Sequence, residues 1–188
     1  YAFSKNARLT TVDFGGVTTV ENNAFEDCTT LSVDALPDSI SSIGTNAFKN
    51  CKSNSTDETV LVIPSGLTVL NKGALPVKDA SKIEKIVFAA GSKLEKIGDD
   101  DYGFCYDFVN LKRVCREEDL DGSTDNTFPE TLTYLGNRAF RTQSGYKLTG
   151  ELILPPALET IGEYAFYMHS GLTSVNIPGT VKSIGAYA

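Results

Sequence analysis

The chain has 188 residues, which is enough for one sizeable hydrophobic core. Hydrophobic residues make up 41% of it and charged residues 22%, a composition typical of a globular protein. No apolar run is long enough to span a bilayer, which argues against direct membrane insertion. The net charge of −7 repels polyanions and therefore argues against nucleic acid or an anionic membrane surface as a partner.

One short pattern recurs along the whole chain. The stretches 31–48 and 172–188 align so that a Pro, a following aliphatic residue, an Ile-Gly pair and an Ala keep the same phase. Uninterrupted units are 22 or 23 residues long, as from Phe3 to Phe25 and from Phe25 to Phe48. The aromatic or leucine position of the unit is occupied by Phe3, Phe25, Phe48, Leu75, Phe104, Phe140 and Phe166. The pattern indicates about seven stacked units.

Each unit contains the signals of one turn of a coil. Aliphatic residues predict a short strand, and the proline after it ends the strand because it lacks an N–H. The Gly suits a corner with positive φ or a close backbone pass, and the Ala-Phe segment predicts a short helical or 3₁₀ turn. A unit of 23 residues cannot bury its apolar side alone, so the units must stack with parallel strands. An antiparallel β-sandwich is the alternative, but it does not require the same Pro, Gly and Phe in every unit.

Longer spacings indicate insertions near 52–59, 116–127 and 141–150. We expect one domain over 1–188. The terminal units lack polar capping sequences, so we also expect the chain to be a segment of a longer array.

The repeated unit resembles the BspA-like (Treponema pallidum-type) leucine-rich repeat. Residues 153–166 and 175–188 carry the resemblance most closely. It implies an α/β leucine-rich-repeat solenoid, β-rich overall: a right-handed coil of ~23-residue units with a parallel sheet on one face and short turns on the other. It also implies a surface-exposed or secreted protein, of an adhesin-like kind, that binds host or matrix proteins. The family has no shared catalytic motif, and no cofactor is expected.

Few residues could carry catalysis. His169 is the single histidine, and no nucleophile signature surrounds it, so we interpret it as an exposed turn residue. Cys28 and Cys51 occupy the same phase of adjacent units, where buried free thiols or a disulfide are both open. Cys105 and Cys115 cannot be paired from the sequence, and no cysteine spacing matches a zinc site.

The second insertion carries acids at alternate positions followed by a Gly. Asp119, Asp121 and Asp125 resemble the opening of a calcium loop, but Phe128 stands where the bidentate Glu belongs. The alternative is a solvated loop.

A partner is expected on the outward positions of the strands, which the coil does not need. One outward column reads Asp13, Ala35, Val62, Val87, Cys115, Ile153 and Asn176. An exposed apolar stripe edged by charge is typical of a protein-binding patch, although β-branched residues are also simply favourable in strands. The predicted partner-binding residues are Val62, Val87, Cys115 and Ile153, with Glu84, Lys112 and Arg113 at the edge.

Three functions therefore remain open. The first is a non-enzymatic module, extracellular or at the cell surface, that binds a protein ligand. The second is a structural spacer that displays another domain. The third, an enzyme or an enzyme-inhibitor scaffold, has little support because only one histidine and no catalytic motif are present.

Overall fold

The computed structural model describes residues 1–33, 36–53, 57–77, 79–98, 103–105, 108–120, 122–142 and 147–188. The chain forms a solenoid of parallel strands, as the repeat predicts. Its only helical segments in these ranges are two 3₁₀ turns, Ala80–Lys82 and Glu117–Asp119. None of the helices described is long and apolar enough to cross a lipid bilayer.

The Ile-Gly segments form one continuous ladder. Each unit contributes a two-residue strand, and the strands pair in parallel with no shift of register, as in Val20 with Ile43 and Ile43 with Leu70. The resulting seven-stranded sheet is an addition to the single sheet that the sequence predicts. Its strands are β1 (Thr19–Val20), β3 (Ser42–Ile43), β6 (Val69–Leu70), β8 (Lys96–Ile97), β11 (Tyr134–Leu135), β13 (Thr160–Ile161) and β15 (Ser183–Ile184).

The predicted strands before the proline positions form a second set of parallel ladders, which is broken into three sheets. The first sheet pairs β2 (Ser32–Val33) with β4 (Lys52–Ser53). The second contains β5 (Val60–Ile63), β7 (Lys85–Phe88) and β9 (Arg113–Arg116). The third contains β10 (Asn126–Thr127), β12 (Thr149–Ile153) and β14 (Gly171–Asn176).

Two of the predicted insertions explain these breaks. The insertion near 52–59 separates β4, which pairs with the preceding β2, from β5, which pairs with the following β7. The insertion at 116–127 separates β9 from β10 in the same way. Side chains bridge the second break: Asn126 Oδ1 accepts from the Val114 N–H and Thr127 Oγ1 from the Arg116 N–H, both at 3.1 Å. Each insertion thus adds a strand to this face and leaves the Ile-Gly ladder intact.

The Phe positions fill the middle of the coil. Phe25 and Phe48 stack with ring centroids 5.2 Å apart, and Phe140 and Phe166 stack at 5.6 Å. These four rings are buried, and each covers the equivalent ring of its neighbour. Stacking of this kind stabilises the coil only when successive units keep the same phase.

The glycine of the Ile-Gly pair allows two turns to pass closely. A Cβ on Gly162 would lie 2.5 Å from the carbonyl carbon of Gly136 and 2.6 Å from the amide nitrogen of Asn137. Positive φ, the other explanation offered by the sequence, holds at Gly98, where φ is +79°.

Left-handed backbone falls instead on the residue before each Ala-Phe. The residues there have φ between +56° and +64°: Asn23, Asn46, Gly73, Arg138, Tyr164 and Tyr187. Asn and Gly adopt this conformation most readily, whereas bulkier residues lose about 1 kcal/mol or more in it. The Ala-Phe segments are therefore hydrogen-bonded turns, and the 3₁₀ turns lie in the irregular connections.

His169 is buried, so its interpretation as an exposed turn residue is wrong. It stands three residues after Phe166, in the slot that Cys28 occupies after Phe25. The Cys28 thiol donates to the carbonyl of Phe3, one unit earlier, and His169 Nε2 donates to the carbonyl of Phe140. Nδ1 of His169 accepts from the Leu148 N–H at 3.0 Å, which fixes a neutral ring with the proton on Nε2.

We expect Gly162→Ala to destabilise the solenoid by about 1–3 kcal/mol, because the new methyl group overlaps backbone that cannot move without breaking the Ile-Gly ladder. Gly179→Ala is the matched control, since a Cβ there meets nothing within 4 Å. Thermal unfolding followed by circular dichroism should show a melting temperature lowered by roughly 5 °C for Gly162→Ala alone. Equal melting temperatures for the two variants would contradict the close pass.

We also expect His169 to make stability depend on pH. Burial lowers the pKa of the imidazole below its ordinary value of 6.5, and the nearby Lys147 charge adds to the effect. The unfolded chain then takes up a proton more readily than the folded chain. The contribution of His169 is therefore complete above pH 6.5 and declines as the pH falls through the folded-state pKa.

Denaturant unfolding of the wild type and of His169→Cys at a series of pH values between 4 and 8 tests this. Cysteine fills the same slot in two other units, so His169→Cys should retain the Phe140 hydrogen bond and lose the pH dependence. His169→Ala should be less stable than His169→Cys by about 1 kcal/mol at pH 8, because the carbonyl is left without a donor. A His169→Cys profile parallel to the wild type would show that carboxylates cause the dependence.

Candidate interaction surface

The predicted apolar column is in register but is not exposed throughout. Val62, Val87 and Cys115 are direct partners across β5, β7 and β9. Val62 is 56% exposed, whereas Val87 and Cys115 are buried at 5% and 0%. The expectation that Val87 and Cys115 face solvent is therefore wrong. Ala35 lies outside the described residues, and Ile153 is partly exposed at the equivalent position of β12.

We infer that a strap formed by the β9–β10 connection (residues 117–120 and 122–125) covers Cys115. The guanidinium of Arg113, on the outward side of β9, donates to the carbonyl oxygens of Asp119 at 2.8 Å and Asp125 at 3.1 Å. Glu117 accepts from the Ala90 N–H at 2.9 Å, beyond the end of β7. Cys115 is fully buried but lies outside the cluster of inward core residues, on the same side of β9 as Arg113. Arg113 is consequently a strap anchor and is not available at the edge of a patch.

A second arginine clamps the strap from its other side. Arg116 Nε lies 2.7 Å from Asp119 Oδ2, and Arg116 Nη1 lies 2.5 Å from Glu130 Oε1. Thr127 also donates to Asp119 Oδ2 at 2.7 Å. The hydrogen bond from Arg116 is the main reason that the pKa of Asp119 lies below its usual range. The strap is thus tied to the sheet at both of its ends.

Two of the three aspartates in the calcium hypothesis already bind other groups of the protein. The Asp119 carboxylate is already occupied by Arg116 and Thr127, and Asp125 Oδ1 accepts from the Glu151 N–H at 3.1 Å. Asp121 lies outside the described residues. Within the described part of the chain, no group of three or more His, Cys, Asp or Glu residues is arranged to hold a metal ion.

The cysteines are buried free thiols. Burial raises the pKa of the Cys51 thiol to about 12, with Cys28 adding a smaller effect. Burial also raises the pKa of Cys105. A thiol must lose its proton to act as a nucleophile, so neither residue has the environment of a reactive cysteine.

The strap carries an apolar residue that the sequence interpretation missed. Leu120 follows the 3₁₀ turn of the strap and is 50% exposed. Leu120 directly follows Asp119, whose carbonyl accepts from Arg113 on the outward side of β9. The outer surface therefore presents Val62, Leu120 and the partly exposed Ile153. Insertions rarely align between repeats, so column alignment alone could not find Leu120.

Two ion pairs border this surface on the side where the strands begin. Lys112 Nζ lies 2.8 Å from Glu84 Oε1, and both side chains are about half exposed. Lys82 Nζ lies 2.6 Å from Glu58 Oε2. The predicted edge residues Glu84 and Lys112 are thus paired with each other. We name the set of Val62, Leu120, Ile153 and these two pairs the outer surface.

We expect the strap to control access to Cys115. Removal of the Asp119 carboxylate in Asp119→Ala should weaken the closed strap by about 1 kcal/mol, because the Arg116–Asp119 pair is mostly shielded. Maleimide labelling of Cys115, located by peptide mass mapping, should then be about fivefold faster than in the wild type. Glu159→Ala, which removes an exposed ion pair with Lys182, is the control and should leave the rate unchanged. A rise that is equal at Cys28 would indicate global unfolding and not release of the strap.

Comparison with known proteins agrees with this architecture. The family model described as BspA type Leucine rich repeat region matches residues 1–114 and 119–188 in six copies. A search of the curated proteins gave no match. A leucine-rich repeat protein from Bacteroides ovatus, solved by crystallography, is 21% identical with a TM-score of 0.38. The alignment covers 100% of this chain and 59% of that one, so the chain spans just over half the length of the Bacteroides protein. Because the family model covers nearly the whole sequence, the chain belongs to the BspA-type leucine-rich repeat family.

Proposed function

We propose that the chain is a non-enzymatic interaction module, secreted or displayed at a cell surface, that binds a protein ligand through the outer surface. Leucine-rich repeat domains generally mediate protein–protein binding, and the family is typically surface-associated. An adhesin-like role toward a matrix or host surface protein follows from that membership as a proposal about this chain.

The observation that carries the proposal is the exposure of Val62 and Leu120, at 56% and 50%, on a face that a solenoid does not need for its own stability. Outward positions without a partner are normally polar. Here the apolar residues lie beside the ion pairs Lys112–Glu84 and Lys82–Glu58. An apolar centre with a polar rim is the usual arrangement of a protein interface.

The strap gives this surface a defined shape. Arg113 and Arg116 both bind Asp119, the residue that precedes Leu120. A platform that is ordered before binding lowers the entropy lost when a partner docks.

Binding of the purified chain to an array of immobilised extracellular-matrix proteins tests the proposal. We expect at least one array protein to bind, and Val62→Ser with Leu120→Ser to weaken that binding about tenfold or more, the usual effect of removing a central apolar contact. Val17→Ser is the matched control, because Val17 is 39% exposed and lies outside the outer surface.

Two results would count against the proposal. If the wild type binds no array protein, the alternative of a structural spacer is favoured. If the Val62 and Leu120 variants bind as tightly as the wild type, the ligand uses another surface. Unchanged melting temperatures of the variants are required for the second comparison, and both side chains are exposed enough for that to be expected.

A further inference from the structure

A second cluster, half-buried except for the exposed Tyr187, lies at the turns on either side of the last Ala-Phe segments. It consists of Arg138, Arg141, Tyr164, Tyr167 and Tyr187, from three consecutive units, and we name it the Tyr–Arg corner. It shares no residue with the outer surface.

Three residues of the cluster occupy a position where the backbone prefers other residues. Asn23 and Asn46 have φ of +57° at the equivalent positions of the second and third units. In the later units the same left-handed position holds Arg138, Tyr164 and Tyr187, with φ of +59°, +56° and +60°. Bulky side chains are uncommon in this conformation, so the fold does not explain their presence. Backbone strain that the fold does not explain is a reason to look for a function there.

The side chains form one connected group. The rings of Tyr164 and Tyr187 stack with centroids 4.9 Å apart, and Tyr167 meets Tyr164 edge-on at 5.1 Å. The guanidinium carbons of Arg138 and Arg141 lie 5.5 Å and 5.8 Å from the Tyr164 ring centroid. The rings therefore hold two cations side by side without neutralising them.

Neither guanidinium forms an ion pair with a carboxylate of the described residues. The Nε–H of Arg141 is buried without a hydrogen-bond acceptor among them. Glu163, the acid next to Tyr164 in the sequence, is exposed and makes no such pair. No carboxylate of the described residues neutralises these two arginines, in a chain whose net charge is −7.

We propose that the Tyr–Arg corner binds an acidic segment of a protein partner. Carboxylates of the segment pair with Arg138 and Arg141, since guanidinium groups bind carboxylates through two parallel hydrogen bonds. The tyrosine rings pack against the backbone between those carboxylates and offer their hydroxyl groups to it. Tyrosine and arginine are the residues that most often dominate the binding energy of protein interfaces. The site is a second one, and it does not depend on the outer surface.

The chain itself supplies the matched variant. Tyr164→Asn installs the residue that two other units have at this position, so it should keep or raise the melting temperature while it removes the central ring. Arg138→Asn does the same for one cation. The probe is a fluorescein-labelled peptide of ten residues that alternates Glu and Gly, which in an extended form places carboxylates about 7 Å apart on one side. The control probe alternates Lys and Gly.

In fluorescence anisotropy at low salt, the Glu peptide should bind the wild type saturably and the Lys peptide should not. Tyr164→Asn and Arg138→Asn should each weaken binding at least fivefold, and 0.5 M NaCl should weaken it further. Val62→Ser should leave it unchanged, which separates this site from the outer surface. Absence of saturable binding by the Glu peptide, or equal binding by Tyr164→Asn, would overturn the proposal. So would a chain that binds heparin but not the Glu peptide, because the corner would then recognise a sulfated polysaccharide.

Discussion

The in-register stacking of the Ile-Gly strands is the constraint on which the rest of the structure depends. Seven two-residue strands pair in parallel without one shift, so every unit advances along the axis by one strand spacing. Each side chain is then placed over its equivalent in the previous unit, which allows Phe25 to stack on Phe48 and Phe140 on Phe166. The same spacing brings the backbone of Gly162 onto that of Gly136, where a Cβ cannot fit. The residue type at these Phe and Gly positions therefore suits both the local backbone and the stacking of the units.

Insertions are tolerated because they lie on the face that carries the second set of ladders and leave the Ile-Gly ladder intact. A break between β9 and β10 lets one unit pair with its predecessor through β9 and with its successor through β10, while β8 and β11 remain adjacent in the Ile-Gly ladder. The inserted residues return across the sheet as the strap, and Arg113 and Arg116 attach them to it. The strap thereby changes the surface of the coil: it presents Leu120, and we infer that it covers Cys115. Variation in such arrays is concentrated where the axial repeat is not disturbed.

The sequence predicts the features that recur in every unit. It does not predict the features that belong to one unit alone. The solenoid, the phase of the Phe positions and the sites of two insertions follow from column alignment. The burial of Val87 and Cys115 did not follow, because column alignment shows on which face a side chain lies and not what else covers that face. His169 was misplaced for another reason. Its slot could have been read from Cys28, but cysteine and histidine look unrelated until both are seen to donate to the carbonyl of the previous unit. Equivalence in this fold is a matter of hydrogen-bonding role and not of residue type.

That distinction also separates structural from functional positions along the coil. A slot whose occupants share a role, such as the thiols and the imidazole that bond the preceding turn, is explained by the fold, whatever residue fills it. A slot whose occupants depart from what the backbone prefers is not explained in that way. The left-handed turn residues are of the second kind, since Asn in the early units gives way to Arg138 and then to Tyr164 and Tyr187. The Leu120 platform is of the same kind, because an exposed leucine adds nothing to the stacking. In a solenoid of repeated units, functional residues are best sought at positions where the residue type departs from the one that the fold favours there in the other units.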